Sequence, residues 1–397
     1  MTRRAIVSGG SIGGLFAAAA LRKRGWQVDV LERTEVELSG RGAGIVTHDV
    51  LVDALTEVGA STDDLGVEVE ERVAFDIEGN RVAAIEFPQV VTSWDRIHRL
   101  LRDITPDDTH HLGKQVVGYD EMPDHVEVRL SNGELLKADL LVGADGFRSA
   151  VRAQFLPDVQ PIYSGYVVWR ALAHEIELPP HLRERIFPAF GFFAPAGTQI
   201  IGYPIAGPKN DLFPGRRRYN FVWYTQVPQS SLKDMLTDAT GAVHDISIPP
   251  PLIRDEVLGQ MHKEAERLLP KPFVEILDYS ERPFFTPIYD HLSPIFGKGR
   301  VALSGDAACV ARPHVGMGVT KAACDALALA RHLDDTPDIP AALDAYSAER
   351  VPAAKKAMEQ ARRLGSYIFD MKSGATKDGR VNPRLDEVMR HTAVTVT

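Results

Sequence analysis

The N-terminal stretch IVSGGSIGGLFAAAALRKRGWQVDVLER, residues 6–33, constrains the fold more than any other part of the chain. A short apolar run is followed by a glycine-rich turn, an alanine-rich helical pattern and a second apolar run that ends at Glu32. This order predicts a strand–turn–helix–strand unit, whose final acidic residue typically holds ribose hydroxyls. The arginines that precede the stretch also resemble the start of a secretory signal. The glycines would break the helix of such a signal, so the strand–turn–helix–strand unit is favoured.

The glycine motif G-x-G-x-x-G is incomplete in either register. It reads as Gly9, Ser11 and Gly14, or in a second register that starts at Ser8. The first register is favoured, because Gly9 then makes the tight turn and Gly14 lets the helix pack closely on the sheet. Ser11 falls where the backbone approaches a pyrophosphate, and its hydroxyl can donate to a phosphate oxygen. Ile12 then opens the helix at the cofactor.

Composition excludes several classes of protein. The chain has 397 residues, which suits two domains or one domain with a large insertion. Its net charge of −9 argues against nucleic acid or an anionic membrane as the main partner. Two cysteines, Cys309 and Cys324, form no metal-binding pattern, so no metal is expected. No apolar run reaches the ~18 residues that span a bilayer, so we expect a cytoplasmic protein.

The rest of the chain predicts an α/β protein with an inserted sheet. From about residue 160 to 225 the segments YVVWRALA, GFFAPAGTQIIGYPIAG and YNFVWYTQV alternate as antiparallel strands do. Strands around an Asn-Gly turn are predicted within 125–142, and the tail beyond Met371 is expected to be loosely held. Helices are predicted at 94–104, after the prolines at 249–251, after residue 318 and at 341–364.

Two further glycine-bearing motifs identify a family. They are LLVGADGFRSAVR, residues 140–152, and GDAACVARPHVGMG, residues 305–318. With the N-terminal unit, in this order, they resemble the single-component FAD-dependent aromatic hydroxylases, the para-hydroxybenzoate hydroxylase class. The resemblance covers nearly the whole chain. It implies a glutathione-reductase-type FAD-binding domain with an inserted antiparallel-sheet substrate domain and C-terminal helices. The implied division is a discontinuous FAD-binding domain (1–73, 92–160 and 280–340), a substrate-binding sheet domain (74–91 and 161–279) and a C-terminal helix and tail (341–397).

The resemblance also implies the residues that bind the cofactor. Glu32 matches the carboxylate on the adenosine ribose, and Asp306 the aspartate that takes a ribityl hydroxyl. Arg33 flanks the adenine or is simply an exposed arginine. Trp94 stands near the place of a flavin-contacting arginine in many relatives, and either Arg96 or Arg99 takes over that role. The remaining matches are the pyrophosphate turn (Gly9, Ser11, Ile12, Gly14), the glycine-rich flavin loop (Arg41, Ala43) and the loop before the long helix (Pro313, Gly316, Met317, Gly318).

Three residues are candidates for the substrate side. His48 could accept a proton from a ring hydroxyl, because imidazole titrates in the useful range; the alternative is an exposed histidine at a helix start. Tyr203 lies on the inserted sheet, where it is either a substrate wall or a core tyrosine. His314 shapes the pocket or merely packs. Four aromatic residues of the sheet are expected in its core (Trp169, Phe192, Phe193, Tyr224).

The family reaction is implied by the same resemblance. It uses tightly bound, non-covalent FAD, with NADH as a transient co-substrate, and O2, through a flavin C4a-hydroperoxide, in enzymes that are often homodimers. The segments GGSIGGL, GRGAGI, TSWDRIHRLL, RPHVGMG and KAACDA narrow the implied substrate to a small, dihydroxylated, nitrogen-containing ring: 2,6-dihydroxypyridine, hydroxylated to 2,3,6-trihydroxypyridine in nicotine degradation. The alternatives are a flavin halogenase, another flavin reductase, a non-catalytic flavin-binding protein or a plain NAD-dependent dehydrogenase. The halogenase segment W-x-W-x-I-P does not occur.

Overall fold

The computed structural model describes residues 2–38, 44–195, 197–369 and 383–396. Within these ranges the strands are β1 (Arg4–Ser8), β2 (Gln27–Leu31), β3 (Gly44–Val46), β4 (Val67–Phe75), β5 (Arg81–Ser93), β6 (His110–His111), β7 (Val116–Glu121), β8 (Val126–Leu130), β9 (Leu135–Ala138), β10 (Leu140–Gly143), β11 (Ile162–His174), β12 (Phe190–Phe193), β13 (Thr198–Ile205), β14 (Arg218–Gln226), β15 (Phe284–Leu292), β16 (Gly297–Lys298), β17 (Val301–Leu303) and β18 (Cys309–Val310). The α-helices are α1 (Ile12–Lys23), α2 (Asp49–Val58), α3 (Trp94–Asp103), α4 (Ala150–Phe155), α5 (Pro180–Arg185), α6 (Gln229–Met235), α7 (Asp255–Leu268), α8 (Lys271–Asp278), α9 (Gly318–Asp335), α10 (Ile339–Ser366) and α11 (Pro383–His391).

One of the two large sheets has six strands, in the order β16-β17-β10-β1-β2-β6. β1 pairs in parallel with β2 and β10, and β10 pairs in parallel with β17. Its central strands are almost wholly apolar because a parallel sheet is covered on both faces. Helix α1 joins β1 to β2 and packs against α9. The strand–turn–helix–strand unit predicted for the first residues is confirmed.

The other large sheet has nine strands, in the order β18-β15-β11-β14-β13-β12-β4-β5-β3. It is antiparallel except for the pairing of β12 with β4. One face packs on α7 and α8, and the opposite face bears tyrosines and aliphatic side chains. The sheet includes residues 67–73 and 284–292, which the predicted boundaries assign to the other domain. The domain division as a whole stays a prediction.

Smaller predicted elements are also found. β8 and β9 pair antiparallel around a turn in which Gly133 has φ +86°, as the Asn-Gly pair predicts. α3 buries Ile97 and Leu101, and α9 and α10 follow where the sequence predicts helices. No helix of the described ranges is long and apolar enough to cross a membrane, and nowhere in them do three His, Cys, Asp or Glu side chains gather as metal ligands would.

The expectation of a loosely held tail is wrong for residues 383–396. Helix α11 buries Val388 and Met389, and Arg72 of β4 donates to the carbonyl oxygens of Met389 and Thr392. Polar composition suggested exposure, but these backbone contacts are made by a residue more than 300 positions away, so the local sequence does not reveal them. The part of the predicted tail at 371–382 lies outside the described residues.

Candidate active site

A cavity of about 630 Å³ lies between the two sheets, at the carboxyl ends of the parallel strands. Ligands bind at that edge in open α/β sheets. The cavity size is within the usual range for ligand sites. Its lining comes from the ends of β1, β2, β10 and β17 and from three strands of the other sheet, β11, β15 and β18. It includes Ser8, Gly9, Ser11, Glu32, Arg33, Trp94, Lys114, Asp145, Phe147, Arg148, Val168, Arg170, Ser247, Thr286, Ile288, Tyr289, Asp306, Val310 and Pro313.

The turn after β1 needs glycine at two positions. Gly9 has φ +112°, and a Cβ there would lie 2.3 Å from the carbonyl oxygen of Ala144. A Cβ on Gly14 would lie 1.9 Å from the carbonyl oxygen of Gly9. Ser11 lines the cavity, and its hydroxyl makes no capping bond to α1. The free amides at the start of α1 thus lie beside the cavity, which suits an anionic group.

Glu32 closes one end of the cavity. Its Oε2 accepts from the Gly10 amide at 2.9 Å, and its Oε1 accepts from the Thr34 amide at 2.9 Å. These bonds fix a buried carboxylate in the cavity wall. Arg33 is exposed at the rim, and Lys114, which the sequence reading missed, lines the same end.

Two aspartates lie at the ends of neighbouring strands. Asp306 follows β17 and is exposed to the cavity, where the surrounding protein raises the pKa of its carboxyl group. Asp145 follows β10, and its Oδ2 accepts from the Ala150 amide at 2.8 Å. Its buried Oδ1 has no hydrogen-bond partner, and burial raises the pKa of this carboxyl group too. The cavity-exposed carboxyl of Asp306 is an acceptor that fits a ligand carrying hydroxyls, as a ribityl chain does.

A buried charge cluster holds the backbone of Gly305, the residue before Asp306, in place. The Asp325 carboxylate, fully buried on α9, accepts from the Gly305 amide at 3.1 Å, from Lys321 at 3.3 Å and from Arg350 at 2.9 Å. Lys321 also donates to the carbonyl oxygen of Gly305 at 2.8 Å. The sequence reading did not find this cluster, although Lys321 and Asp325 stand four residues apart, the spacing of neighbours on a helix.

The far end of the cavity is lined by the nine-stranded sheet. Val168 and Arg170 of β11 lie beside Thr286 and Ile288 of β15. The half-buried Arg170 guanidinium has no carboxylate partner among the described residues. Arg170 is therefore a cation facing the cavity, and the sequence reading missed it.

A second buried ion cluster holds the loop at 311–318 in place. Asp290 of β15 accepts from Arg312 at 2.8 Å and from Arg362 of α10 at 2.7 and 3.0 Å. Burial opposes ionisation, but these hydrogen bonds outweigh it and hold the pKa of Asp290 below its usual value. The cluster joins three segments that are distant in sequence.

The predicted histidines are buried beside the cavity wall instead of lining it. His48 precedes α2 and is buried, so it is not an exposed histidine; its Nδ1 lies 2.9 Å from the Thr320 hydroxyl, and its Nε2 has no hydrogen-bond partner. Burial lowers the pKa of His48 to about 4. His314 Nε2 lies 2.9 Å from the Tyr166 hydroxyl, and burial lowers the pKa of His314 to about 3. Both imidazoles are neutral at pH 7.

Tyr203 is also part of the packed face of the sheet. Its ring stacks on Phe190 at 4.5 Å, and its hydroxyl donates to the carbonyl oxygen of Gly44 at 3.2 Å. Burial raises the pKa of Tyr203 to about 12, so it is a hydrogen-bond donor at neutral pH. The four aromatic residues expected in the sheet core are buried.

The structure brings together only some of the predicted flavin contacts. Trp94 lines the cavity, whereas Arg96 donates to the carbonyl oxygen of Asp63 and Arg99 is exposed away from it. Ile12 and Gly14 are buried behind the wall. Pro313 lines the cavity, while Gly316, Met317 and Gly318 lead into α9 without lining it. Arg41 and Ala43 lie outside the described residues.

A parallel sheet with a glycine turn, a fixed carboxylate at one end and ligand-facing aspartates at the other defines a protein that binds an extended dinucleotide. The family model described as an FAD binding domain matches residues 2–169 and 288–361, and a model described as FAD binding domain-like matches 163–290. The 2,6-dihydroxypyridine 3-monooxygenase of Paenarthrobacter nicotinovorans is 33% identical over 92% of both chains. A 3-hydroxybenzoate 6-hydroxylase of Aquipseudomonas alcaligenes is 28% identical over 94% of this chain and 92% of its own.

Solved structures of similar proteins have the same fold. The 2,6-dihydroxypyridine-3-hydroxylase from Arthrobacter nicotinovorans superposes with a TM-score of 0.88 at 32% identity, covering 96% of each chain. Klebsiella pneumoniae HpxO, solved with FAD and uric acid, shares the fold with a TM-score of 0.76 at 24% identity, over 98% of this chain and 93% of its own. The chain belongs to the FAD-binding-domain family of single-component aromatic hydroxylases, and it is a FAD-dependent aromatic monooxygenase.

Proposed function

We propose that this protein hydroxylates 2,6-dihydroxypyridine at position 3, using NADH and O2, to give 2,3,6-trihydroxypyridine in nicotine degradation. The observation that carries the proposal is likeness along the whole chain to enzymes named for that substrate, at 33% identity over 92% of both sequences. The proposal includes a homodimer, which the family resemblance implies, and a cytoplasmic location, which the composition predicts.

FAD, when bound, supplies the redox chemistry that passes electrons from the nicotinamide to O2 and delivers an electrophilic oxygen. The residues proposed to hold it are the turn from Gly9 to Gly14 with Ser11 and Ile12 at the phosphates, Glu32 and Arg33 at the adenosine, and Asp306 at the ribityl chain. The proposal assigns the flavin ring to the loop that contains Pro313, Gly316, Met317 and Gly318. Arg41, Ala43 and the choice between Arg96 and Arg99 remain predictions.

The cation at Arg170 supports an anionic substrate. A ring with two hydroxyls beside its nitrogen is most reactive once one hydroxyl is ionised, because the negative charge enriches the neighbouring carbon. Arg170 lines the cavity without a carboxylate partner in the described chain, and a guanidinium pairs well with an oxyanion. We assign to Arg170 the binding of the ionised hydroxyl.

His48 is the proposed base for that ionisation. Burial lowers its pKa to about 4, so the imidazole is neutral at pH 7. Its Nδ1 lies 2.9 Å from the Thr320 hydroxyl, and the other side of the ring faces the backbone of Ala393. Tyr203 and His314 are proposed to support the substrate wall through their fixed contacts to Gly44 and Tyr166.

Purified holoenzyme tests the proposal directly. NADH consumption and product mass are measured with 2,6-dihydroxypyridine, with 3-hydroxybenzoate and without any ring. The proposal expects 2,6-dihydroxypyridine alone to stimulate NADH oxidation strongly and to yield a product heavier by one oxygen. Stimulation by 3-hydroxybenzoate instead would reassign the substrate while the monooxygenase activity stands. NADPH in place of NADH tests the nicotinamide preference.

A further inference from the structure

The C-terminal segment 383–396 contacts the residues proposed to surround the flavin ring and substrate. The Ala393 amide donates to the carbonyl oxygen of His314 at 2.9 Å, and the Val396 amide lies 3.1 Å from the Met317 sulfur. A Cβ on Gly316 would lie 3.0 Å from Ala393, so the segment crosses directly over this loop. His48 lies against the same point, 3.9 Å from that Cβ position.

One buried arginine anchors the segment. Arg72 is fully buried, and its guanidinium donates to the carbonyl oxygens of Met389, Thr392 and Ala393, the last at 3.4 Å. These carbonyls lie at the negative end of α11, where a cation is stabilising. Gln89 accepts from the same guanidinium at 2.6 and 2.9 Å. The guanidinium also stacks on the Phe87 ring at 3.8 Å, so it joins β4 and β5 to the end of α11 and the residues that follow it.

The backbone conformation of Ala393 gives a clean way to test the contact. Its φ of +53° is left-handed, a conformation that glycine adopts at no cost and proline cannot adopt. Glycine keeps the amide that donates to His314, whereas proline removes it. Ala393→Gly therefore preserves both the bond and the backbone conformation, whereas Ala393→Pro removes the bond and displaces the segment.

We propose that segment 383–396 forms one wall of the active site. Arg72 is a positioning residue that holds the segment against His314, Met317 and His48. The wall excludes water from the flavin ring and substrate, so that electrons reach product instead of hydrogen peroxide. This inference rests on the proposed function for its catalytic consequence, but not for the contacts themselves.

Two readouts test the wall without any substrate. Hydrogen exchange of the Ala393 amide is followed in the Arg72→Met and wild-type holoenzymes. Loss of the anchor should speed exchange by about tenfold or more, the factor that one typical hydrogen bond contributes. Iodide quenching of bound flavin fluorescence should rise in Arg72→Met and in Ala393→Pro, and should stay at the wild-type level in Ala393→Gly. Unchanged exchange and quenching would overturn the proposal, whatever the enzyme hydroxylates.

The catalytic readout is the ratio of product formed to NADH consumed. Ala393→Pro should lower this ratio and raise hydrogen peroxide, with FAD retention unchanged and Ala393→Gly coupled as the wild type. Coupling that stays intact in Ala393→Pro despite increased quenching would show that the segment is only terminal packing. Should Arg72→Met fail to fold, Arg72→Lys provides the same measurements, and a chain ended after residue 392 provides the quenching and coupling measurements. If no ring is hydroxylated at all, the proposed function fails, and the exchange and quenching results still decide the wall.

Discussion

The two ends of the cavity are built differently. At the proposed adenosine end the key groups all come from the first strand–turn–helix–strand unit: Glu32 bonds Gly10 and Thr34, and Gly9 and Gly14 contact each other across one turn. At the substrate end His48 contacts Thr320, His314 contacts Tyr166, and Arg72 contacts α11. The proposed cofactor end is thus set by local motifs, while the proposed substrate end is set by pairs of residues distant in the chain.

Because of this difference, we expect variants at the two ends of the cavity to change different properties of the enzyme. Local motifs tie cofactor binding to the folding of the first sheet, so variants there should lose FAD. The long-range pairs can change without disturbing the sheet, so variants there should alter coupling or substrate affinity while FAD stays bound.

The largest effect is expected at Asp325, which joins the cofactor end to the protein's stability. Asp325→Ala leaves Lys321 and Arg350 without their buried partner and should lower the free energy of unfolding by about 3–5 kcal/mol. Thermal or urea unfolding measures the loss. Asp334→Ala on the same helix removes an exposed pair with Arg24 and should cost at most about 1 kcal/mol. Equal losses in the two variants would contradict the role given to the cluster.

At the substrate end, His48→Ala should slow coupled hydroxylation by about 10²–10⁴-fold, the usual contribution of a general base. FAD retention and the rate of flavin reduction by NADH serve as internal controls and should not change. Because the pKa of His48 is lowered to about 4, its neutral form persists through mildly acidic pH, and base function should disappear only as the pH falls toward 4. Hydroxylation at the wild-type rate would remove His48 from the mechanism.

Arg170→Met sharpens the comparison, because it changes charge at the substrate end alone. Binding of the ionised ring should weaken by about 1.5–3 kcal/mol, the contribution of a charge-assisted bond. The dissociation constant is measured from the flavin absorbance change on titration with the ring. Arg170→Lys keeps the charge and should recover part of the affinity. If Arg170→Met instead releases FAD, the arginine belongs to the cofactor end.

Asp306→Ala should weaken FAD binding by about 1–3 kcal/mol, because ribityl hydroxyls lose an acceptor. Asp306→Asn retains a carbonyl oxygen and should lose less. Equilibrium dialysis against free FAD provides the measurement. Retention in Asp306→Ala equal to that of wild type would show that the loop after β17 does not bind the cofactor.

Ser11→Gly tests the departure from the glycine motif and should be nearly neutral, because glycine keeps the backbone amides that are proposed to bind the phosphates at the start of α1. The Ser11 hydroxyl makes no capping bond to α1, so its removal costs the protein no internal contact. FAD affinity within about twofold of wild type is expected, below the effect of one typical hydrogen bond. A large loss would show that the hydroxyl itself binds phosphate.

The sequence was sufficient to predict the glycine turn and the place of Glu32 after β2, but not the residues at the other end of the cavity. A glycine turn followed by Glu32 can be predicted because the spacing within one strand–turn–helix–strand unit fixes its geometry. Arg170 gave no signal, because a charged residue in an otherwise apolar strand does not say which cavity it faces. Arg72 looked like an ordinary strand residue, and the tail it anchors looked exposed. Arg96 and Arg99 were reasonable candidates on one helix, but the helix directs them away from the cavity.

The Asp290 cluster limits how this enzyme can be recombined with its relatives. Its three charges come from β15, the loop at 311–318 and α10, so exchanging any one of these segments brings an acid or a base without its partners. An unmatched buried charge costs about 3–5 kcal/mol, a large fraction of the stability of a typical domain. Crossover points for chimeric hydroxylases should therefore be placed so that Asp290, Arg312 and Arg362 are inherited from one parent.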